Sequence, residues 1–146
     1  MRRMTDDDIE QTLANETVGV LGLPAETAPA LRPMSYWFDG EATLYFVYVV
    51  GEESRKARLT ERADRATFLV YRIDAPFNWR SVRLEGTLER VPEDERAEVE
   101  AQMDVSWRPE LFERGADSEN TDLYRFRIED REGVLQLQRP FDGRDG

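Results

Sequence analysis

Residues 79–91, WRSVRLEGTLERV, constrain the fold most. Val82, Leu84, Gly86 and Leu88 fall on one side of the run; Arg83, Glu85, Thr87 and Glu89 fall on the other. A period of two with one polar side is the pattern of a half-exposed antiparallel strand, and no helix accommodates it. Other runs repeat the theme. TVGVLGLP (17–24), LRPMSYWF (31–38) and ATFLVYRI (66–73) read as strands, and ATLYFVYVV (42–50), apolar on both faces, reads as a central one. A turn at Asp39-Gly40 joins 31–38 to 42–50 in an antiparallel hairpin. DLYRFRIED (122–130) and VLQLQ (134–138) read as a last hairpin that turns at Arg131-Glu132-Gly133.

Three helices are expected between these strands. TDDDIEQTLAN (5–15) opens with a capping-box variant, Thr5 with Asp8 three residues on, and sets Ile9 and Leu13 on one face. ESRKARLTERAD (53–64) has Ser54 as its N-cap, and PEDERAEVEAQM (92–103), opened by Pro92 and dense in acids, reads as a solvated helix. Strands that follow one another through short turns make an antiparallel sheet. The expected class is therefore mainly β, a meander or Greek-key β-barrel with flanking helices. One domain is expected over 1–146, with 1–15 an N-terminal helix and 139–146 a tail.

Composition removes whole classes of chemistry. The chain has no cysteine and no histidine. Thiol nucleophiles, Cys/His zinc sites and imidazole bases are excluded together. No metal is expected, and no catalytic residue stands out. The net charge of −11 repels nucleic acid and anionic membranes, so neither is expected as a partner. There is no long apolar run to span a membrane and no apolar h-region at the start, which points to the cytoplasm. Thirty-one acids against 20 basic residues, only one of them lysine, resemble the proteome of a salt-loving archaeon.

The lone lysine is Lys56, within Ser54-Arg55-Lys56. Residues 54–73 hold six basic side chains and two acids, and Arg55, Lys56 and Arg58 crowd the first turn of the expected helix. Cations at a helix N-terminus each cost about 0.3–1 kcal/mol when exposed. A phosphate there reverses the sign, because it accepts bonds from backbone amides, an Arg fork, a Lys charge and a Ser hydroxyl. The alternative is that Glu52 and Glu53 pair with these cations on the surface.

From about residue 15 to 103, the order LRPMSYWFDGEATLYFVYV, SRKARL, ATFLVYRI, WRSVRLEGTLERV, PEDERAEVE resembles the pyridoxamine 5′-phosphate oxidase-like, flavin-binding split-barrel proteins. It is similar to the small branch that includes nitroimidazole-resistance-type flavoproteins. The resemblance implies a Greek-key split β-barrel and a homodimer with flavin mononucleotide (FMN) at the subunit interface. It implies a phosphate site at Ser54, Arg55 and Lys56, and a flavin ring beside Arg32, Pro33, Met34, Ser35 and Tyr36. It also implies contacts from Val47 and Tyr48 to the ribityl chain and phosphate, and from Ser81, with Trp79 close by, to the flavin or the partner subunit. Tyr36, Tyr45 and Tyr48 have a second reading as barrel core. The substrate-binding Arg and His of the biosynthetic oxidases are not recognisable in LQLQRPFDGRDG, so that activity is not expected. The implied function is an FMN-dependent oxidoreductase of unknown substrate. The alternatives are a deazaflavin-dependent reductase on the same fold or a non-enzymatic flavin-binding dimer; haem is disfavoured for want of an axial histidine.

Overall fold

The computed structural model describes residues 1–49, 55–103 and 121–137. In chain order the elements are β1 (Arg2–Arg3), α1 (Asp6–Asn15), β2 (Val18–Leu23), β3 (Ala30–Ser35), β4 (Trp37–Phe38) and β5 (Thr43–Val49). There follow α2 (Arg55–Arg62), β6 (Ala66–Ala75), β7 (Asn78–Arg90), α3 (Glu93–Gln102) and β8 (Thr121–Leu137). All the strands join one antiparallel sheet in the order β3-β2-β6-β7-β8-β5-β4, with β1 pairing on β8. The mainly β class and the split-barrel curl are those expected from the sequence.

The two outermost strands, β3 and β4, are consecutive in the chain and separated only by Tyr36. Residues 31–38 are thus not one strand. β3 pairs with β2 and β4 pairs with β5, and the sheet curls so that its two edges meet through the chain. Tyr36 fixes the junction. Its N–H donates to the Thr17 carbonyl at 2.9 Å, and its hydroxyl donates to the Leu13 carbonyl at 2.7 Å. Its ring meets Phe68 edge-on, with centroids 5.5 Å apart. Leu13 lies in the last turn of α1, where carbonyls have no intrahelical partner. The Tyr36 hydroxyl satisfies one of them inside the core.

The concave face of the sheet holds the core. Leu21, Leu44, Phe46, Phe68, Val82 and Phe126 are fully buried there. α1 covers part of it with Ile9 and Leu13, as the sequence spacing requires. Its capping box forms as expected: Thr5 Oγ1 accepts from the Asp8 N–H at 3.1 Å, and Asp8 Oδ2 accepts from the Thr5 N–H at 3.3 Å. β5 is apolar on both faces because it is covered twice. Leu44, Phe46 and Tyr48 enter the main core, while Tyr45 and Val47 pack with Trp37 against a second cluster of Val91, Val99, Met103 and Leu123.

Two sequence expectations are corrected. Residues 122–137 form one strand and not a hairpin. Gly133 does not turn; it gives α1 and Met4 room to approach, since a Cβ there would stand 2.8 Å from Ile9 Cγ1 and Met4 Sδ. The long β7 is paired along its whole length by this strand, through one bulge at Glu129 of β8 opposite Glu85 and Gly86, and a Cβ at Gly86 would lie 1.9 Å from the Arg127 carbonyl oxygen. α3 is not wholly solvated. Arg96 is only 7% exposed and clamps the helix to β8, donating to the Thr121 carbonyl at 2.6 Å, to Thr121 Oγ1 at 2.8 Å and to Glu100 at 2.8 Å.

Tyr48 ties α2 to β5. Its hydroxyl lies 2.9 Å from Thr60 Oγ1 inside the core, and its ring stacks on Tyr124 with centroids 4.1 Å apart. Burial pushes the Tyr48 hydroxyl up to about 12, the Thr60 hydrogen bond opposing and Tyr124 adding to the rise. Burial, with the Glu16 charge second, holds Tyr36 higher still.

Tyr36→Phe leaves the Leu13 carbonyl buried and unpaired. The expected cost is about 1–3 kcal/mol, read as a lower urea midpoint with an unchanged slope. The tyrosine shifts also give a pH dependence. A pKa raised on folding means that the native state holds protons the unfolded chain has lost. The stability is therefore fully present below pH 10 and falls as pH rises from 10 toward 12. Unfolding free energies from urea titrations at pH 8 to 12 should fall with a steepness of up to roughly 1.4 kcal/mol per pH unit for each titrating tyrosine, and Tyr48→Phe should flatten the fall.

Candidate functional site

β3 presents an edge. Among the described residues it pairs only with β2, with Pro33 opposite Val20 and Ser35 opposite Val18. Tyr36 donates to Thr17 across this pair, so the alternation of an antiparallel ladder directs Met34 and Arg32 backbone groups toward β2 as well. The backbone polar groups of Leu31, Pro33 and Ser35 then face the open edge. Proline is tolerated there because its missing N–H would point away from the ladder. Arg32, Pro33 and Ser35 are exposed, and Arg32 Nη1 donates to the Leu31 carbonyl at 2.9 Å. Met34 and Tyr36 turn into the core.

α2 begins with Arg55 and Lys56, and no acid stands in its first turn. Ser54 lies outside the described residues, as do the side chains of Arg55 and Lys56. The Tyr48–Thr60 contact holds the helix against the barrel. Farther along, Arg58, Leu59 and Arg62 face the β2–β3 loop across a cavity of about 360 Å³, whose other wall is Ala25, Glu26 and Thr27. Tyr36 and Tyr48 are both buried in the core. Val47 points away from Tyr48 into the cluster under α3.

The convex face of the sheet is unexpectedly apolar. Alternation sets Val18 and Val20 of β2, Leu31 of β3, Leu69, Tyr71 and Ile73 of β6 and Trp79 of β7 on this side. Leu31 is 59% exposed and Ile73 63%. A groove of about 670 Å³ runs along it beside Val20, Gly22, Leu31 and Leu69, ending at Arg65, Arg83 and Glu85. These last are ion-paired: Arg83 donates to Glu85 at 2.7 Å and to Glu132 at 3.1 Å, and Arg65 bridges Glu85 and Glu129. The Glu132 hydrogen bond, with the Glu85 charge next, raises the Arg83 pKa.

Trp79, opposite Ile73, and Ser81, opposite Tyr71, are half-buried on the same convex face. β2 and β6 lie between them and β3, a separation of three strand spacings or roughly 14 Å. One protomer does not bring them to the β3 edge. The convex groove and the Arg58–Arg62 cavity were missed from the sequence. Alternation alone marked Arg83 and Glu85 as a solvated face, and only the register sets them beside Leu69. Among the described residues, no group of three or more acids is placed to hold a metal ion, and no helix is long and apolar enough to cross a membrane.

Solved structures share this fold. An FAD-binding protein from Mesorhizobium loti superposes with a TM-score of 0.75 at 21% identity, covering 93% of this chain and 98% of that one. The FAD and heme binding protein from Mycobacterium smegmatis gives 0.75 at 16% identity, over 97% of this chain and 77% of that one. A protein assigned to 5-nitroimidazole antibiotic resistance in Bacteroides thetaiotaomicron gives 0.67 at 14% identity, over 94% and 90%. No curated protein matches the chain. The family described as pyridoxamine 5′-phosphate oxidase matches residues 5–134, from the capping box of α1 to the far half of β8, and the chain belongs to that family.

Proposed function

We propose that the chain is a flavin-dependent oxidoreductase that holds the FMN unit of its cofactor at the interface of a homodimer. The observation that carries the reading is the start of α2, where Arg55 and the chain's only lysine open a helix with no acid in its first turn. Such a turn is unfavourable alone and favourable around a phosphate. The open edge of β3 supports it. The Pro33 carbonyl and the Ser35 N–H and carbonyl, on the side of β3 away from β2, suit the pyrimidine side of a flavin, which carries donors and acceptors in one plane. The adjoining groove lies within the size range of small-molecule sites, about 300–1,000 Å³, and its walls suit an apolar ring. The family, and neighbours whose own ligand is a flavin, support it further.

With a flavin bound, hydride and electron transfer come from the cofactor. The chain's own task is to anchor the phosphate, fix the ring against β3 and shield it from water. The convex face supports a dimer: Val18, Tyr71 and Ile73 are about half exposed or more, and a second copy laid on them would cover both the face and the groove.

Purified protein should show a flavin absorption spectrum, and heat should release a flavin identified by mass. Lys56→Ala should lower flavin retention, and Lys56→Arg should lower it less. A colourless chain that takes up neither FMN nor FAD sinks the reading. A deazaflavin mass keeps the fold and changes the cofactor; flavin that no organic or nicotinamide donor reduces makes the protein a carrier and not an enzyme. Sedimentation should give a dimer. Ile73→Asp should shift it to monomer and release flavin; a monomeric wild-type chain that retains flavin overturns the interface.

A further inference from the structure

Two buried hydroxyls join α2 to the barrel. The Tyr48 and Thr60 oxygens stand 2.9 Å apart, and both residues are buried. Among the described residues the other buried polar side chains have plainer tasks. Thr12 bonds the Asp8 carbonyl of its own helix, and Arg96 and Thr121 bond each other to hold α3 on β8. Thr60 reaches out of α2 to a tyrosine of β5.

The apolar part of the α2 docking is slight. Leu59 and Ala63 pack against the core but are only partly buried. The helix has eight residues, too few to hold its shape unaided in water, and cations in its first turn oppose it further. Apolar burial has no preferred direction, whereas a hydrogen bond demands both a distance and an angle. The Tyr48–Thr60 bond therefore sets the roll and the height of α2 on the barrel. Its barrel end is a fixed point. Tyr48 is paired with Asp122 in the β5–β8 ladder, and its ring stacks on Tyr124 with centroids 4.1 Å apart.

Thr60 stands four residues after Lys56 and five after Arg55. At about 1.5 Å per residue, the first turn of α2 begins only about 6–7.5 Å along the axis from Thr60. A helix transmits a shift at one turn to the next. Hydrogen bonds to a phosphate oxygen need about 2.7–3.2 Å between heavy atoms, so a slip at Thr60 of even one ångström, roughly, takes the helix amides out of reach.

We propose that Tyr48 and Thr60 are positioning residues for the flavin phosphate: their bond sets the start of α2 where the phosphate needs it, and neither side chain touches the ligand. The inference rests on the flavin reading above and deepens its phosphate site. It also replaces the direct contact to the ribityl chain and phosphate that the family resemblance implies for Tyr48 with an indirect one, because the hydroxyl is engaged by Thr60 inside the core.

Titration calorimetry of the flavin-free full chain with FMN and with riboflavin, which lacks the phosphate, tests it. The wild-type chain is expected to bind FMN at least tenfold more tightly than riboflavin. Thr60→Val keeps the side-chain shape and removes the hydroxyl; it should weaken FMN at least fivefold and leave riboflavin within twofold. Tyr48→Phe should do the same. Thr60→Ser, which keeps the hydroxyl, should hold FMN within threefold of wild type. Combining Tyr48→Phe with Thr60→Val removes both partners, so the urea midpoint should recover toward wild type while FMN stays as weak as in either single variant. FMN affinity that recovers with stability overturns the positioning role. So do variants that weaken FMN and riboflavin alike, variants that bind FMN as the wild type does, and a serine variant no better than the valine one. Two results on the wild-type chain alone mark a different failure: FMN bound no more tightly than riboflavin overturns the phosphate site, and a folded chain that binds neither overturns the flavin reading itself.

Discussion

The closure of the sheet at Tyr36 is the constraint on which the rest depends. A sheet this curved has to manage two edges, and free edges are costly to leave unprotected. Here the edges belong to neighbouring residues of the chain, so they cannot drift apart by more than one residue's length. Among the described residues, the barrel closes through the chain at Tyr36 and not through a hydrogen-bonded ladder. Everything near the seam then follows from how Tyr36 is held. Its N–H fixes the β2–β3 ladder, its hydroxyl fixes the end of α1, and its ring packs on Phe68 at the centre of the core. The same junction leaves β3 with one unpaired side among the described residues. The open edge on which the functional reading leans is a consequence of the split closure and not a separate device.

The two faces of the sheet carry different loads. The concave face is filled by side chains of β2, β5, β6, β7 and β8 and capped by α1. The far side of β5 and β8 is covered by α3, which the Arg96 clamp attaches to Thr121. A buried guanidinium is costly to desolvate, and Arg96 offsets that cost by meeting a carbonyl, a hydroxyl and a carboxylate at once. Among the described residues, no element covers the remaining convex surface over β3, β2, β6 and β7. Apolar residues there stand beside a band of ion pairs among Arg65, Arg83, Glu85, Glu129 and Glu132. That is the composition of an interaction surface with a polar rim.

Much of this was legible in the sequence. The period of two in 79–91 and the capping box at Thr5 and Asp8 were local signals, and both elements formed where local physics put them. The failures were nonlocal. Gly133 in Arg131-Glu132-Gly133 reads as a turn because glycine permits one, yet its role is to leave space for Ile9 and Met4, which lie more than a hundred residues away. The break at Tyr36 has no local signature, since the run 31–38 is uniformly strand-like; it arises because two different strands compete for its two halves. Arg83 and Glu85 looked like an ordinary wet face because the sequence shows what alternates with them and not what pairs with them. Of the candidate site, the chain position of the cationic triplet was readable. The cavity one turn further along α2 was not, because its second wall comes from the β2–β3 loop.

Net charge makes the placement of these cations more than incidental. At −11 the whole chain repels an anionic ligand at long range. Residues 55–65 reverse the sign locally, with Arg55, Lys56, Arg58, Arg62 and Arg65 against Glu61 and Asp64. The two effects respond differently to salt. Long-range repulsion from the acidic surface is screened within about 8 Å at physiological ionic strength. A phosphate in direct contact with guanidinium forks and helix amides is screened far less. In an acidic protein, then, a nucleotide site needs a compact basic element set in contact with the ligand and not a diffuse positive field. In α2, Arg58 and Arg62 border one cavity on a helix that Tyr48 and Thr60 pin to the barrel.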